Sequence, residues 1–430
     1  MKIANRGFSF LVAVLLLPAS TVAQEDAGKG LSELIRGNEQ FGRKLLLQVH
    51  SIAADRNVVV SPISLTLIFA AFREHSWNDD PLGTEIDRTF GWKRSLRLNI
   101  PARQLLAAFE EPAKPKPCPP HSRTHIPCFV YVPEGAWITN TFLYRSAVTY
   151  VNGVAPEEVR NPIDEGFAED AKKNFKFRFV HTGIAPPSAD DLRQARKHVG
   201  ALPNVSPRPL EPENDVWVSS GTHLQTAWRG NTFSINRPYQ GEFRTASGAI
   251  KVQLLDSEMA EYFYAKTSTF EAVALPCNLG YMLVVLPVPE KDIHELEREM
   301  VDHPGAVDAA LTKQLGEITM PTFRIGVDSD LSLAIGSLGI HTAFQDLNRI
   351  FKIGGAGLTK VAQKIDLEVS QNGIRADAET VAAAVYGGII TGREPFHMSL
   401  TRPFVFLIRD QTTGALLFIG AVMDPSQQTN

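Results

Sequence analysis

From Ile374 to Thr380 the chain alternates. Ile374, Ala376, Ala378 and Thr380 fall on one side, and Arg375, Asp377 and Glu379 on the other. A period of two marks a strand with one buried and one wet face. The inward set is small, so this strand fits between close neighbours without overpacking. Small apolar residues continue over 381–385, Gly387-Gly388 interrupts them, and the chain runs on through Gly392 and Pro395. A strand-competent segment that feeds a long, glycine-punctuated loop has two options: it stands in solvent or it enters a sheet.

Elsewhere the pattern predicts helices early and strands late. Leu34, Ile35, Phe41, Leu45 and Val49 follow helical spacing, predicting an amphipathic helix over 31–51. A short strand at 57–60 is followed by Ser61-Pro62, a helix start with Ser as N-cap and Pro at the first helical position. The helix it opens, 63–72, is apolar nearly all round and therefore central. Residues 84–106 are predicted helical, and 137–180 to alternate strand and helix, ending in Phe175, Phe177 and Phe179. A polar helical piece is expected around Leu192. Strands are predicted over 216–224, 243–254, 262–269, 270–275, 281–286, 317–325 and 365–369, with helices at 293–300 and 331–338. The C-terminal pair, 403–408 and 415–422, is joined at Thr412-Thr413-Gly414. Helices segregated from strands in this way imply an α+β domain. There are no repeats, and no clean linker splits the chain.

Lys2 and Arg6 precede the apolar run 8–18, with small residues up to Ala23. That is the make-up of a secretory signal over 1–23, cut after Ala23, which implies a secreted or periplasmic product. The run is too short to span a membrane. The net charge of −4 gives no reason to expect nucleic acid or an anionic membrane as partner. The segment 111–133 is rich in Pro and Lys and reads as an insertion outside regular structure. It carries Cys118, His121, His125 and Cys128, spaced C-x2-H-x3-H-x2-C. A Cys118–Cys128 disulfide is the reading the exported compartment favours, and a tetrahedral zinc site is the alternative. Cys277 borders a buried strand and is expected as a packed free thiol.

Several stretches resemble the serpin family. Asn57 with Ser61, Pro62 and Ser64 resembles its N-x-x-x-S-P-x-S motif. Trp228 with Phe233, Leu275-Pro276 with 283–287, and Leu331 with Leu338-Gly339-Ile340 and Phe344 resemble further family segments. Thr401-Arg402-Pro403-Phe404-Val405-Phe406, Phe418-Ile419-Gly420 and Pro425 resemble its C-terminal signature. The matches run in family order from Leu31 to Pro425. The resemblance implies one domain over 24–430, with helices packed on a large mixed sheet A, smaller sheets B and C, and an exposed reactive centre loop within 371–402. It makes Gly373 the hinge glycine, and Ile374, Ala376, Ala378 and Thr380 the inward face of an inserting strand. Asn57, Ser61, Pro62 and Ser64 become the shutter and Trp228 the breach. The implied activity is suicide inhibition: cleavage lets the loop enter sheet A and carry the attached protease with it. Family spacing from Gly373 places the scissile bond at Tyr386-Gly387 or Gly387-Gly388, which suits a chymotrypsin-like or elastase-like serine protease. Arg393 is the alternative reactive residue.

The chain departs from the family pattern at several points. Gln371 and Asn372 replace acids, Ile374 replaces Thr or Ser, Asp377 and Glu379 interrupt an Ala-rich hinge, and Gln363 replaces a common histidine. These departures keep a non-inhibitory carrier or chaperone-like protein as the second reading. An enzyme is the third, because no catalytic motif stands out. His294-Glu295 begins like H-E-x-x-H, but Arg298 takes the second ligand position, so a solvated helix face is expected. No cofactor is implied, and the protein is expected to be a monomer.

Overall fold

The computed structural model describes residues 19–76, 80–109, 134–145, 147–151, 154–159, 163–182, 216–230, 232–233, 238–347, 349–351, 357–376 and 394–427. The chain begins with α1 (Ala19–Ile52) and β1 (Val58–Val60), then α2 (Pro62–His75), α3 (Pro81–Phe90) and α4 (Asn99–Ala108). Next come β2 (Gly135–Arg145), β3 (Ala147–Val151), β4 (Val154–Val159), α5 (Glu165–Phe175) and β5 (Phe177–Thr182). A run of strands follows: β6 (Val216–Ala227), β7 (Tyr239–Thr245), β8 (Gly248–Asp256), β9 (Ala260–Lys266), β10 (Phe270–Pro276) and β11 (Gly280–Pro287). Helices α6 (Ile293–Asp302) and α7 (Ala306–Ala310) lead to β12 (Thr312–Pro321) and β13 (Phe323–Asp330). The last elements are α8 (Ser332–Ser337), α9 (Thr342–Gln345), β14 (Lys360–Ser370), β15 (Gly373–Ala376), β16 (Phe396–Ser399), β17 (Phe404–Asp410) and β18 (Leu416–Val422).

Two large sheets organise these strands. One is mixed and six-stranded, in the order β13-β14-β15-β6-β2-β5. The other has ten strands, with β16 pairing off its main path onto β12; β3 and β4 form a separate hairpin. The two smaller sheets expected from the sequence run together in the ten-stranded one. The joint is β12, which pairs with β9 at one end, β8 at the other and β16 between.

Several boundaries differ from the sequence expectation, each for a local reason. The single strand expected over 243–254 is the β7–β8 hairpin, closed by the Thr245 hydroxyl donating to the Gly248 carbonyl at 2.9 Å. The strand expected over 317–325 is two strands in different sheets. The Thr322 N–H still donates to the Gln253 carbonyl of β8 at 2.9 Å, and from Phe323 the chain pairs instead with Val369 in the six-stranded sheet. The region 84–106 divides into α3 and α4 at Gly91. Helix α1 is continuous from Ala19 through the processing point predicted after Ala23. The insertion 111–133, the helical piece around Leu192 and the cysteine pair Cys118 and Cys128 lie outside the described residues.

The core is densest around the C-terminal hairpin. Every residue of β17 and β18 is buried, as expected of strands covered on both faces. Phe404 and Phe406 meet Phe323 with ring centroids 6.0 and 5.6 Å apart. Helix α2 is buried from Pro62 to Arg73, so its all-round apolar character reflects a central position. Arg409 is also buried, and its guanidinium donates to Glu39 (2.6 Å), Asp308 (2.5 Å) and the Tyr281 hydroxyl (3.0 Å). Such a charge is tolerated because two carboxylates, Glu39 and Asp308, pair with it, although its Nε–H is buried without a partner. No described helix is long and apolar enough to cross a membrane.

Packing at β18 leaves no room for a side chain at Gly420. A Cβ there would lie 2.4 Å from the Val58 carbonyl oxygen and 2.6 Å from the Phe406 ring. Gly420→Ala is therefore expected to destabilise the protein by about 2 kcal/mol, the range for forcing atoms into a filled core. The midpoint of urea unfolding measures it, and an unchanged midpoint would contradict this account of the hairpin.

Candidate functional site

The alternating segment singled out by the sequence begins as β15. Gly373, Ile374, Arg375 and Ala376 lie antiparallel to β6, opposite Ala227, Thr226, Gln225 and Leu224. On its other edge Gly373 to Arg375 pair, again antiparallel, with Ser370 to Glu368 of β14. Ile374 is buried and Arg375 half-buried, as the alternation requires. Ala378 and Thr380, with the bond candidates Tyr386, Gly387, Gly388 and Arg393, lie outside the described residues.

Strands β6 and β14 run parallel to each other and touch directly only at their far ends, from Lys360↔Trp217 to Gln363↔Ser220. Residues 364–367 of β14 and 221–223 of β6 lie between that contact and the seated hinge. A strand running antiparallel to both neighbours can extend from Ala376 through this opening with every ladder bond matched. The sheet is thus parted at one end, with four residues already seated there, and closed at the other.

Gly373 is the residue the hinge turns on. Its φ is +142°, and an added Cβ would meet the Thr226 carbonyl oxygen at 2.2 Å and Ala227 Cα at 2.8 Å. Only glycine combines that backbone angle with so close an approach. Above it, the Trp228 indole N–H donates to the Ser370 carbonyl at 2.8 Å, and the ring packs edge-on to Phe233 at 5.4 Å. Trp228 also bridges to Cys277, which is the buried free thiol expected. Burial pushes that thiol up to about 11, so it is neutral and a poor nucleophile at physiological pH.

The closed end sits on the start of α2. Gln363 of β14 accepts from the Ser61 N–H at 2.8 Å and donates to the Ser61 carbonyl at 2.8 Å and the Ser64 hydroxyl at 3.0 Å. Ser220 of β6 donates to the Ser64 hydroxyl at 2.7 Å. Thr222 of the same strand shares a 2.6 Å hydrogen bond with the Ser61 hydroxyl, which also donates to the Leu417 carbonyl at 2.7 Å. All five side chains are buried. The amide of Gln363 donates and accepts at one place and ties β14 to the helix that also holds β6. Ser61 was expected as a side-chain N-cap, but its hydroxyl makes no capping bond. It is drawn to Thr222 and Leu417 instead, and Pro62 at the first helical position lowers the number of N–H groups left to cap. Asn57 acts at a distance. Its carbonyl accepts from the Met423 and Asp424 N–H groups at 2.7 and 2.9 Å, and its amide donates to the Asp424 carbonyl at 2.6 Å.

Of the residues the resemblance assigned to hinge, shutter and breach, the structure brings Ser61 and Ser64 together with Gln363, seats Gly373 in the sheet under Trp228 and places Asn57 against the end of the C-terminal strand. Sequence reasoning missed Ser220, Thr222 and Ser370. For Ser220 and Thr222 the available signal was the polar Ser-Ser-Gly-Thr run that follows apolar Val216-Trp217-Val218 in one strand.

A family profile described as "Serpin (serine protease inhibitor)" matches residues 162–425, more than half of the chain. A serpin-like protein of Thermococcus kodakarensis is 24% identical over 224 residues, covering 50% of this chain and 51% of its own length. Serpin-Z2A of Triticum aestivum is 23% identical over 301 residues, covering 65% and 74%. The aligned stretch thus spans about half to three quarters of these relatives. Among solved structures, human thyroxine-binding globulin in complex with thyroxine superposes with a TM-score of 0.72 at 18% identity, covering 93% of this chain and 100% of that one. A sheet parted by its own hinge, the motifs that hold its far end shut and the profile match over these same strands lead to one conclusion: the chain belongs to the serpin family.

Proposed function

We propose that this serpin is an exported suicide inhibitor of serine proteases and not itself an enzyme. A protease attacks a carbonyl within 377–393, the downstream amine leaves, and the upstream segment stays esterified to the enzyme's serine. That segment then extends β15 between β6 and β14, carrying the acyl-enzyme with it before water can hydrolyse the ester. The observation that supports this reading is the seated hinge: Gly373 to Ala376 pair antiparallel with β6 and Gly373 to Arg375 with β14, with the opening directly ahead of them. Each further residue adds ladder bonds worth about 1 kcal/mol apiece, so extension is downhill once the loop is free. In the extended strand the alternation of the sequence would leave the charges Arg375, Asp377 and Glu379 on the wet side and turn Ile374, Ala376, Ala378 and Thr380 inward. The mature protein is read as a single domain over 24–430, secreted or periplasmic after removal of 1–23, and monomeric. Cys118 and Cys128 are assigned to a disulfide within the 111–133 insertion.

Asp377 and Glu379 in the hinge favour a second reading, a non-inhibitory carrier with the same fold. Heat stability separates the two. Nicking the loop is expected to raise the melting temperature by more than about 10 °C, since the added strand stabilises the whole sheet. Ala378→Arg should convert the inhibitor into a substrate, because an unpaired charge on the inward face resists burial. Denaturing gels would then show cleaved protein and no stable complex. An unchanged melting temperature after cleavage selects the carrier.

Gly373→Val is expected to unseat the hinge without unfolding the protein. Hydrogen exchange of the 373–376 amides should accelerate more than about tenfold, while β17 and β18 remain protected. Equal protection in the variant would contradict the close contact at Thr226.

The bond that is cut is assigned to Tyr386-Gly387 or Gly387-Gly388. Tyr386 suits a chymotrypsin-like pocket that buries its ring, and Gly387 an elastase-like pocket. N-terminal sequencing of the released C-terminal fragment should begin at Gly387 or Gly388. A stable complex formed by cutting after Arg393 would move the assignment to a trypsin-like partner.

A further inference from the structure

Far from the hinge, two histidines and a glutamate converge between the last turn of α1 and the first turns of α6. His50 Nδ1 lies 2.6 Å from Glu297 Oε1, and His294 Nδ1 lies 3.4 Å from Glu297 Oε2. The two imidazole rings are 4.4 Å apart. One donor atom from each residue falls within 4.8 Å of the other two. The motif that began at His294 with Glu295 thus had its partners elsewhere. Glu295 and Arg298 are exposed, Glu297 at the i+3 position shares the inner face with His294, and the second histidine comes from α1, 247 positions from Glu297.

A buried His–Glu hydrogen bond is the simplest account of such a pair, but here it leaves work undone. The side chains of His50 and Glu297 are 0% and 1% exposed. Glu297 Oε2 and His50 Nε2 are nevertheless buried without a hydrogen-bond partner. A carboxylate taken out of water with one oxygen unsatisfied is costly. His294, at 28% exposure, is the member of the cluster open to solvent.

We propose that His50, His294 and Glu297 bind a divalent transition-metal ion of the zinc type, with water at the fourth position on the His294 side. Two imidazole nitrogens and one carboxylate oxygen suit zinc and disfavour calcium or magnesium, which take oxygen ligands. Tetrahedral bonds of zinc length place ligand atoms about 3.3 Å apart, within reach of small side-chain rotations from the present spacing. The ion would satisfy Glu297 and staple α1 to α6.

The probe is zinc chloride added to chelator-treated full-length protein, followed by competition with a chromophoric chelator and by thermal unfolding. The expected result is a melting temperature raised by about 4 °C at a hundredfold excess over Kd, with no change for calcium or magnesium. His294→Ala and Glu297→Gln should each weaken zinc binding more than about a hundredfold; the first alters a half-exposed position and the second keeps the side-chain shape. The Cys118→Ser/Cys128→Ser variant should bind as the wild type does, which excludes the cysteine-containing insertion as the source. Cobalt bound in place of zinc should show no thiolate-to-metal charge-transfer band. Absence of a zinc effect, or equal affinity in His294→Ala and the wild type, would overturn the proposal.

Discussion

Everything in this structure depends on how the parallel seam between β6 and β14 is held. A parallel contact of four residue pairs is a weak join for the middle of a large sheet. What reinforces it lies beneath the sheet. Ser220 and Thr222 from one strand and Gln363 from the other reach the same two residues, Ser61 and Ser64, at the start of α2. The buried polar groups satisfy one another, so the cluster is stable while intact and expensive when broken into halves. Opening the seam requires both strands to leave the helix together. That couples a local event, the arrival of an added strand, to the helix around which the rest of the core is packed.

The remaining architecture supports this lock from outside. The hinge end needs no such cluster, because Gly373 to Ala376 already fill it and Trp228 caps it through the Ser370 carbonyl. The fully buried β17–β18 hairpin contributes its Leu417 carbonyl to the Ser61 hydroxyl. The hydrophobic core and the polar seam are therefore joined by one hydrogen bond as well as by α2 itself.

Much of this was legible in the sequence. At Ile374 and Arg375, buried and half-buried, the described start of the alternating segment is a strand, the apolar helix after Pro62 is central, and the C-terminal pair forms the two strands expected. The failures have physical causes. Segment 243–254 is divided by the turn between Thr245 and Gly248, and segment 317–325 by the step from Thr322 to Phe323, where the chain leaves one sheet's pairing for the other's. Ser61 looked like a cap because its neighbours fit that role, yet a hydroxyl from another strand competed for it. The H-E-x-x-R pattern at His294 hid its neighbours because helical proximity also operates at i+3, where Glu297 stands, and because His50 is supplied by a distant helix. Spacing along one element carries no record of what tertiary packing brings to it.

One consequence follows from where the loop is moored. Its upstream end leaves β15 in the six-stranded sheet, and its downstream end re-enters the ten-stranded sheet at β16, where Phe396 stacks on Tyr264 at 3.8 Å and pairs along β12. While the chain is whole, each residue drawn into the opening shortens the remaining span by about 3.3 Å. The intact loop is in this sense a leash of fixed length. Its slack, set by two anchors in different sheets, limits how far the hinge advances unaided, and severing it at any point removes that limit at once.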